Sequence, residues 1–339
     1  MLKNNYKQMN IVQINQYLQG EKITVIDIGA RGGIHARWNS FSPLLNVIGF
    51  EPDENECQRI NETAKSKSYE LKCLPYALGK DNNSKASLHI CKEPGCSSLY
   101  EPNLEFVKQF YFAPNMEVVN SYNLTLTTLR DICDKYEIIP DCIKIDTQGS
   151  ELDILMGMQN ILDNLKFIEL EVEFNPQYKN QPLFSDIDLF LRKKGFLLLG
   201  IKRTYWRRRN RKIFPRSPFG GQIMHGDAIY YNARILEELQ PDSIKEILKL
   251  LIILSAYKQD DLIAYLLDTP HRAFSEISEE ERKILAKNLL NTPPLLPTIV
   301  RTILDLVRKK FWLPHKTLRK FMDELQSPNA EDWHDSNFF

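Results

Sequence analysis

Short apolar runs alternate with segments of helical period over the first two thirds of the chain. ITVIDI (residues 23–28), VIGF (47–50), YELKCL (69–74), IKID (143–146), FIELEVEF (167–174), FLLLGI (196–201) and AIYY (228–231) predict strands. Amphipathic stretches between them, such as Glu54–Ala64, Ser150–Met158 and Ser185–Lys194, predict helices, and a polar helix is expected over about residues 9–19. Strands that alternate with helices predict a mostly parallel sheet of about seven strands with helices on both faces. Residues 80–125 break the rhythm with a polar loop, a short strand at Ala86–Ile90 and aromatic-rich sequence. From about residue 233 the strand signals stop, and Leu/Ile-rich helical segments punctuated by Pro270, Pro293, Pro294, Pro297 and Pro314 continue to about residue 325. The expected organisation is an α/β domain over 1–232 and an all-helical part over 233–339. The helical part should bury Leu250, Leu251, Ile253 and Leu254 against the main domain or a second copy.

Composition narrows the class without naming a function. Forty-four basic and forty-four acidic residues leave no net charge, which argues against global binding of a polyanion. The six cysteines include no C-x-x-C pair, a usage suited to reduced thiols. The N-terminal stretch lacks the apolar core of a secretory signal. The most apolar run, Ile247–Ala256, contains Lys249 and is too short to span a bilayer. A cytoplasmic protein without a membrane span is the expectation.

Candidate chemistry begins at Val25-Ile26-Asp27-Ile28-Gly29-Ala30-Arg31-Gly32-Gly33. A buried strand here runs into glycines that permit positive φ and close approach of a ligand, although a plain strand-to-helix turn would look similar. The nicotinamide-dinucleotide pattern G-x-G-x-x-G is not met, whereas D-x-G-x-x-x-G is, through Asp27, Gly29 and Gly33. The second strand ends in Gly49-Phe50-Glu51-Pro52-Asp53. Glu51, 18 residues beyond Gly33, is placed to take both hydroxyls of a ribose.

This pairing resembles the S-adenosylmethionine site of class I methyltransferases. Three more stretches, Cys96-Ser97-Ser98-Leu99, Leu126-Thr127-Thr128-Leu129 and Ile143-Lys144-Ile145-Asp146-Thr147-Gln148-Gly149-Ser150-Glu151, make residues 22–232 resemble the FkbM family of methyltransferases. The resemblance implies a Rossmann-like class I methyltransferase sheet, S-adenosyl-L-methionine as cofactor, and O-methylation of hydroxyls on sugars, glycans or glycosylated small molecules. It implies that Asp27, Gly29, Ala30 and Gly33 form the loop at the methionine end of the cofactor. Glu51 would hold the ribose with Pro52 and Asp53 beside it, and Tyr76, Ala77 and Leu78 would lie against the adenine. Arg31 departs from the small residue or Asn usual in this loop. It would either grip the cofactor carboxylate or point to solvent.

A hydroxyl acceptor must lose its proton, which calls for a base or a metal. Asp146, at the end of the fourth strand, is the first candidate base and Glu173 the second. Period two puts Glu169, Glu171 and Glu173 on one strand face, where they would repel unless exposed, paired or metal-bound. A divalent metal held by Asp146 with Glu171 or Glu173 is left open, but no metal site is indicated. His89, Cys91 and Cys96 lack a fourth ligand for zinc. Glu151 either takes part in the site or complements its helix dipole, and His225 is a further candidate at the site. Ser97 and Ser98 suit an acceptor-facing loop.

Eight basic residues fall between Lys202 and Arg216. They predict an anionic acceptor, such as a nucleotide- or lipid-linked sugar, gripped by arginines and stacked on Tyr205 or Trp206. A solvated hairpin is the plainer alternative. No N-P-P-Y or D-P-P-Y follows the fourth strand, so no nucleic-acid partner is expected. Two other functions stay open: a non-catalytic scaffold acting through its helices, and an RNA or nucleoside methyltransferase. Association of copies through the C-terminal helices is also open.

Overall fold

The computed structural model describes residues 11–33, 35–64, 69–209, 221–238, 244–269, 274 and 277–290. The chain begins with α1 (Ile11–Leu18), β1 (Ile23–Ile28), a 3-10 run over Ala36–Leu44, β2 (Leu45–Phe50), α2 (Glu54–Ala64), β3 (Glu70–Leu74), β4 (Ala77–Leu78) and β5 (Lys85–Cys91). Then come α3 (Leu104–Val107), β6 (Val118–Thr127), α4 (Leu129–Tyr136), β7 (Cys142–Ile145), α5 (Glu151–Met158), α6 (Ile161–Asn164) and β8 (Phe167–Glu173). The rest comprises α7 (Phe184–Lys193), β9 (Phe196–Trp206), β10 (Gln222–Asn232), α8 (Ala233–Glu238), α9 (Ile244–Ala256), α10 (Asp260–Asp268) and α11 (Glu279–Leu289).

Seven strands form the main sheet in the order β3-β2-β1-β7-β8-β10-β9. The pairings from β3 through β8 are parallel, and β10 runs antiparallel to both of its neighbours. The order reverses between β1 and β7, which opens the crevice where sheets of this class take their ligands. Beside it, a small sheet in the order β4-β6-β5 interrupts the α/β alternation.

Period two sorts the sheet into two unlike faces. Ile26, Ile28, Ile143, Ile145, Ile168 and Leu170 pack against α4, α5 and α7 in one core. Val25, Val47, Cys142, Phe167 and Ile229 point the other way, against Ile14 and Leu18 of α1, Trp38 and Phe41 of the 3-10 run, and α9. Residues 250–256 of α9 are buried without exception, because α10 and α11 cover the side turned away from the sheet. A helix apolar all round needs such cover. Leu250, Leu251, Ile253 and Leu254 are thus buried within the chain itself, against the sheet face. Lys166 anchors α9 at the opposite edge from the crevice, 2.7 Å from Asp141 Oδ1 and 2.6 Å from Glu246 Oε2. No helix among the described residues is long and apolar enough to cross a membrane.

The structure departs from the sequence reading in three places. β6 carries no strand signal in its sequence, since most of its residues are exposed and show no buried alternation. β5 is longer than Ala86–Ile90 because it pairs with β6 along Lys85–Cys91. β9 and β10 extend to Trp206 and back to Gln222, well beyond Ile201 and Ala228. Polar residues such as Lys202 and Thr204 occupy the solvent side of an edge strand and hide the strand signal.

Candidate active site

One side of the crevice is built by the turn after β1. Gly29, Gly32 and Gly33 all have positive φ, and a Cβ on Gly29 would lie 2.1 Å from the carbonyl oxygen of Asp146. The Gly29 and Ala30 amides both donate to Phe50 O, at 3.0 and 3.1 Å, which folds the turn over the end of β2 beside Glu51. Glu51 is buried and accepts from the Asp53 amide at 3.0 Å. Burial raises its pKa against the opposing pull of that amide and of Arg31. Arg31 lies 3.6 Å from Glu51 Oε2 and 3.4 Å from Asp53 Oδ2. It therefore faces the acid pair rather than solvent alone. Asp53 Oδ1 also caps α2, accepting from the Asn55 and Glu56 amides, and Pro52 begins the turn between them. Leu78 points into the core, while Ala77 is half-buried next to Tyr76.

Asp27 ends the same strand with its carboxylate buried. Burial lifts its pKa to about 6, although Lys144 Nζ stands 3.8 Å from Oδ1. That oxygen has no hydrogen-bond partner among the described residues. An unsatisfied buried carboxylate, a buried acid at the end of β2 and an open glycine turn fit S-adenosylmethionine. Asp27 would meet its amino group, Glu51 its ribose hydroxyls, and the turn would admit the methionine chain.

Beside that turn, a charged patch lies on the α9 face of the sheet. Asp27, Lys144 and Glu169 are in register across β1, β7 and β8. One step nearer the crevice lie Asp146 and Glu171, the latter in register with Asp227 of β10. Lys144 Nζ is 3.2 Å from Asp146 Oδ2, and Gln148 Nε2 donates to Oδ1 at 3.0 Å. Burial would raise the Asp146 pKa, but Lys144 and Gln148 outweigh it and hold it below its ordinary value. Gln148 also donates to Glu171, whose other oxygen meets His225 Nδ1 at 2.5 Å. Burial disfavours the imidazolium of His225, yet Glu171 more than compensates and its pKa is raised. Burial lifts the Asp227 carboxyl to about 7, with Glu169 and Glu171 adding to it.

The three carboxylates of β8 are buried, not a solvated strand end: Glu169 is 3%, Glu171 7% and Glu173 1% exposed. Glu169 pairs with Arg37, and Glu171 with His225. Neither oxygen of Glu173 has a partner among the described residues. Burial and the neighbouring Glu151 and Glu171 push its pKa well above the ordinary carboxylate value. Glu151 does more than complement a helix dipole. Its carboxylate accepts from the Thr147 and Gly149 amides, each at 2.8 Å, and clamps the turn that carries Asp146. Ser98 is tied to the same turn, donating to Gln148 O at 2.6 Å, and Ser97 accepts from the Cys91 amide. Both serines are thus spent on holding the loop.

Aromatic residues roof the His225 side. Trp206 lies with its ring centroid 4.8 Å from Phe112, 5.9 Å from Phe110 and 6.2 Å from His225. Trp206 is only 8% exposed, so it packs as part of the roof rather than as an open stacking platform. Arg208 donates to Gln109 and Gln222 and sits over the Phe110 ring, and Arg209 donates to Phe110 O at 2.6 Å. Two arginines of the basic block therefore hold the roof down. Residues 210–216 of that block lie outside the described residues. Among the described residues no group of three or more His, Cys, Asp or Glu side chains is arranged to hold a metal. The sequence reading missed Lys144 and Gln148 as organisers of Asp146. Both lie within the motif Ile143–Glu151, where the spacing Lys144-x-Asp146-x-Gln148 was the available signal.

Residues 6–198 match the family model described as methyltransferase FkbM domain. No curated protein matches the chain. Among solved structures, the chain is similar to a precorrin-6y C5,15-methyltransferase from Geobacter metallireducens GS-15, at 10% identity and a TM-score of 0.33, covering 65% of this chain and 86% of that one. It is also similar to a magnesium protoporphyrin IX methyltransferase from Synechocystis PCC 6803 with bound S-adenosylmethionine. There the identity is 10% and the TM-score 0.32, over 66% of this chain and 78% of that one.

Proposed function

This chain belongs to the FkbM family of methyltransferases, enzymes that depend on S-adenosylmethionine, and we propose that it transfers the methyl group to a hydroxyl of a sugar, glycan or glycosylated small molecule, with His225 as general base. The observation that carries the reading is the His225–Glu171 hydrogen bond at the ligand end of β8 and β10. A neutral imidazole that donates Nδ1–H to Glu171 presents Nε2 as a proton acceptor. Such a base serves a hydroxyl, which is a poor nucleophile until its proton leaves.

When bound, S-adenosylmethionine would supply an electrophilic methyl on its sulfonium. The chain supplies the rest. Asp27 and Glu51 bind and orient, which sets the reacting atoms in line and removes entropy from the step. Asp146, kept ionised by Lys144 and Gln148, accepts a hydrogen bond from the acceptor and fixes its angle. His225 takes the hydroxyl proton, and Glu171 stabilises the imidazolium that results. Trp206 packs edge-on beside the His225 ring. Family resemblance supports a sugar acceptor. The basic stretch from Lys202 supports an acceptor bearing phosphate or carboxylate, with the exposed Lys202 and Arg207 the residues to meet it.

Calorimetry with S-adenosylhomocysteine tests the cofactor pose. Glu51→Ala should lose about 1.5–3 kcal/mol of binding, the range for hydrogen bonds to a charged group. Equal affinity in wild type and variant would remove Glu51 from the ribose.

A further inference from the structure

The family match ends at residue 198, yet a residue far beyond it reaches the cofactor turn. Tyr257 follows α9 immediately and is 1% exposed. Its hydroxyl donates to Glu169 Oε2 at 2.5 Å. The same oxygen receives Arg37 Nη1 at 3.0 Å, and the Arg37 guanidinium lies over the Tyr257 ring, 4.5 Å from its centroid. Arg37 in turn donates from its amide and Nε to His35 Nδ1, at 3.1 and 3.0 Å. His35 and Arg37 form the exit of the glycine turn that starts at Gly29. The entry is fixed by β1 and by the two amides on Phe50 O. Among the described residues the exit leads into the 3-10 run of Ala36–Leu44, and this part-buried chain of contacts ties it to Tyr257.

We propose that Tyr257 is a positioning residue for the cofactor turn, acting through Glu169 and Arg37, so that the C-terminal helices set the affinity for S-adenosylmethionine. The affinity part rests on the cofactor reading above. The phenol shares the charge of Glu169 with Arg37, which keeps the carboxylate in one rotamer and the guanidinium over the ring. Without the hydroxyl, Arg37 is the remaining hydrogen-bond partner of the buried Glu169 carboxylate among the described residues, and the turn gains freedom at its exit. Ring packing on Phe167 and Trp38 does not need the oxygen. Hydroxyl and ring can therefore be separated by mutation.

Tyr257→Phe keeps the ring and removes the oxygen. Hydrogen exchange on the cofactor-free protein should show faster exchange across residues 29–37 in this variant. S-adenosylhomocysteine affinity should fall about three- to tenfold, the scale of an indirect coupling, and the acceptor KM should hold. Ile263→Val, a packing change in α10, should lower the melting temperature and move neither exchange in the turn nor affinity. Unchanged exchange across 29–37 in Tyr257→Phe would overturn the proposal. If the wild type bound no S-adenosylhomocysteine, the cofactor reading would fail, and the exchange result would still decide whether Tyr257 positions the turn.

Discussion

Burial raises the Asp27 carboxyl from 3.8 to about 6, and the consequence is a stability that depends on pH. Above about pH 4 the unfolded chain gives up this proton while the folded chain keeps it. Stability present below that point is therefore lost as pH rises toward 6, by about 3 kcal/mol in total. Asp227, raised to about 7, acts with the same sign over a wider window. Asp27→Asn should flatten the fall in melting temperature across this range, and an undiminished slope would place its origin elsewhere. His225 gives a second pH signature. Its pKa is raised above 6.5, and only the neutral imidazole accepts a proton, so turnover should climb with pH to an inflection above 6.5. Glu171→Gln removes the negative partner and should move that inflection to lower pH; a limb that stays in place would separate it from His225. Asp27, Glu51, Asp146 and His225 were legible as candidates from motif and strand ends. Arg37 and Tyr257 were not, because only the folded chain brings them to Glu169.

Among the elements, the turn after β1 is the least tolerant. At Gly29 a side chain meets the Asp146 carbonyl, whereas at Gly32 the space is open and only the positive φ opposes substitution. Gly32→Ala should cost about 1–3 kcal/mol of backbone strain. Gly29→Ala should cost clearly more in urea titration, since β7 must also move. Equal costs would show that the two loops do not touch. The central strands were easy to read because both faces of β1, β2, β7 and β8 are covered, which gives continuous apolar runs. The charged positions within those runs, Asp27, Lys144 and Glu169, were visible too, but their pairing across strands was not. β6 and the outer half of β9 carry no such signal, being half solvated and held by partners distant in sequence.

For the whole molecule, α9 is part of the core. It covers Val25, Phe167 and Ile229, so a chain ending at Asn232 would expose the α9 face of the sheet. Such a chain should be insoluble or aggregated, and Leu251→Ala in the full chain should cost about 2–5 kcal/mol; a soluble, active truncation would reduce the helices to an appendage. The apolar circumference of α9 was plain in the sequence, but whether it met the sheet or a second copy was not, since either would bury the same residues. Methyl transfer to a hydroxyl with His225 as base can be checked in a single assay. Full-length wild type and His225→Ala are given labelled S-adenosylmethionine with a panel of glycans and nucleotide-linked sugars, and the products are read by mass spectrometry. One methyl should appear on an acceptor oxygen, formed about 100-fold or more slowly by the variant. A variant as fast as wild type, or a wild type that binds the cofactor and labels no hydroxyl, would contradict it.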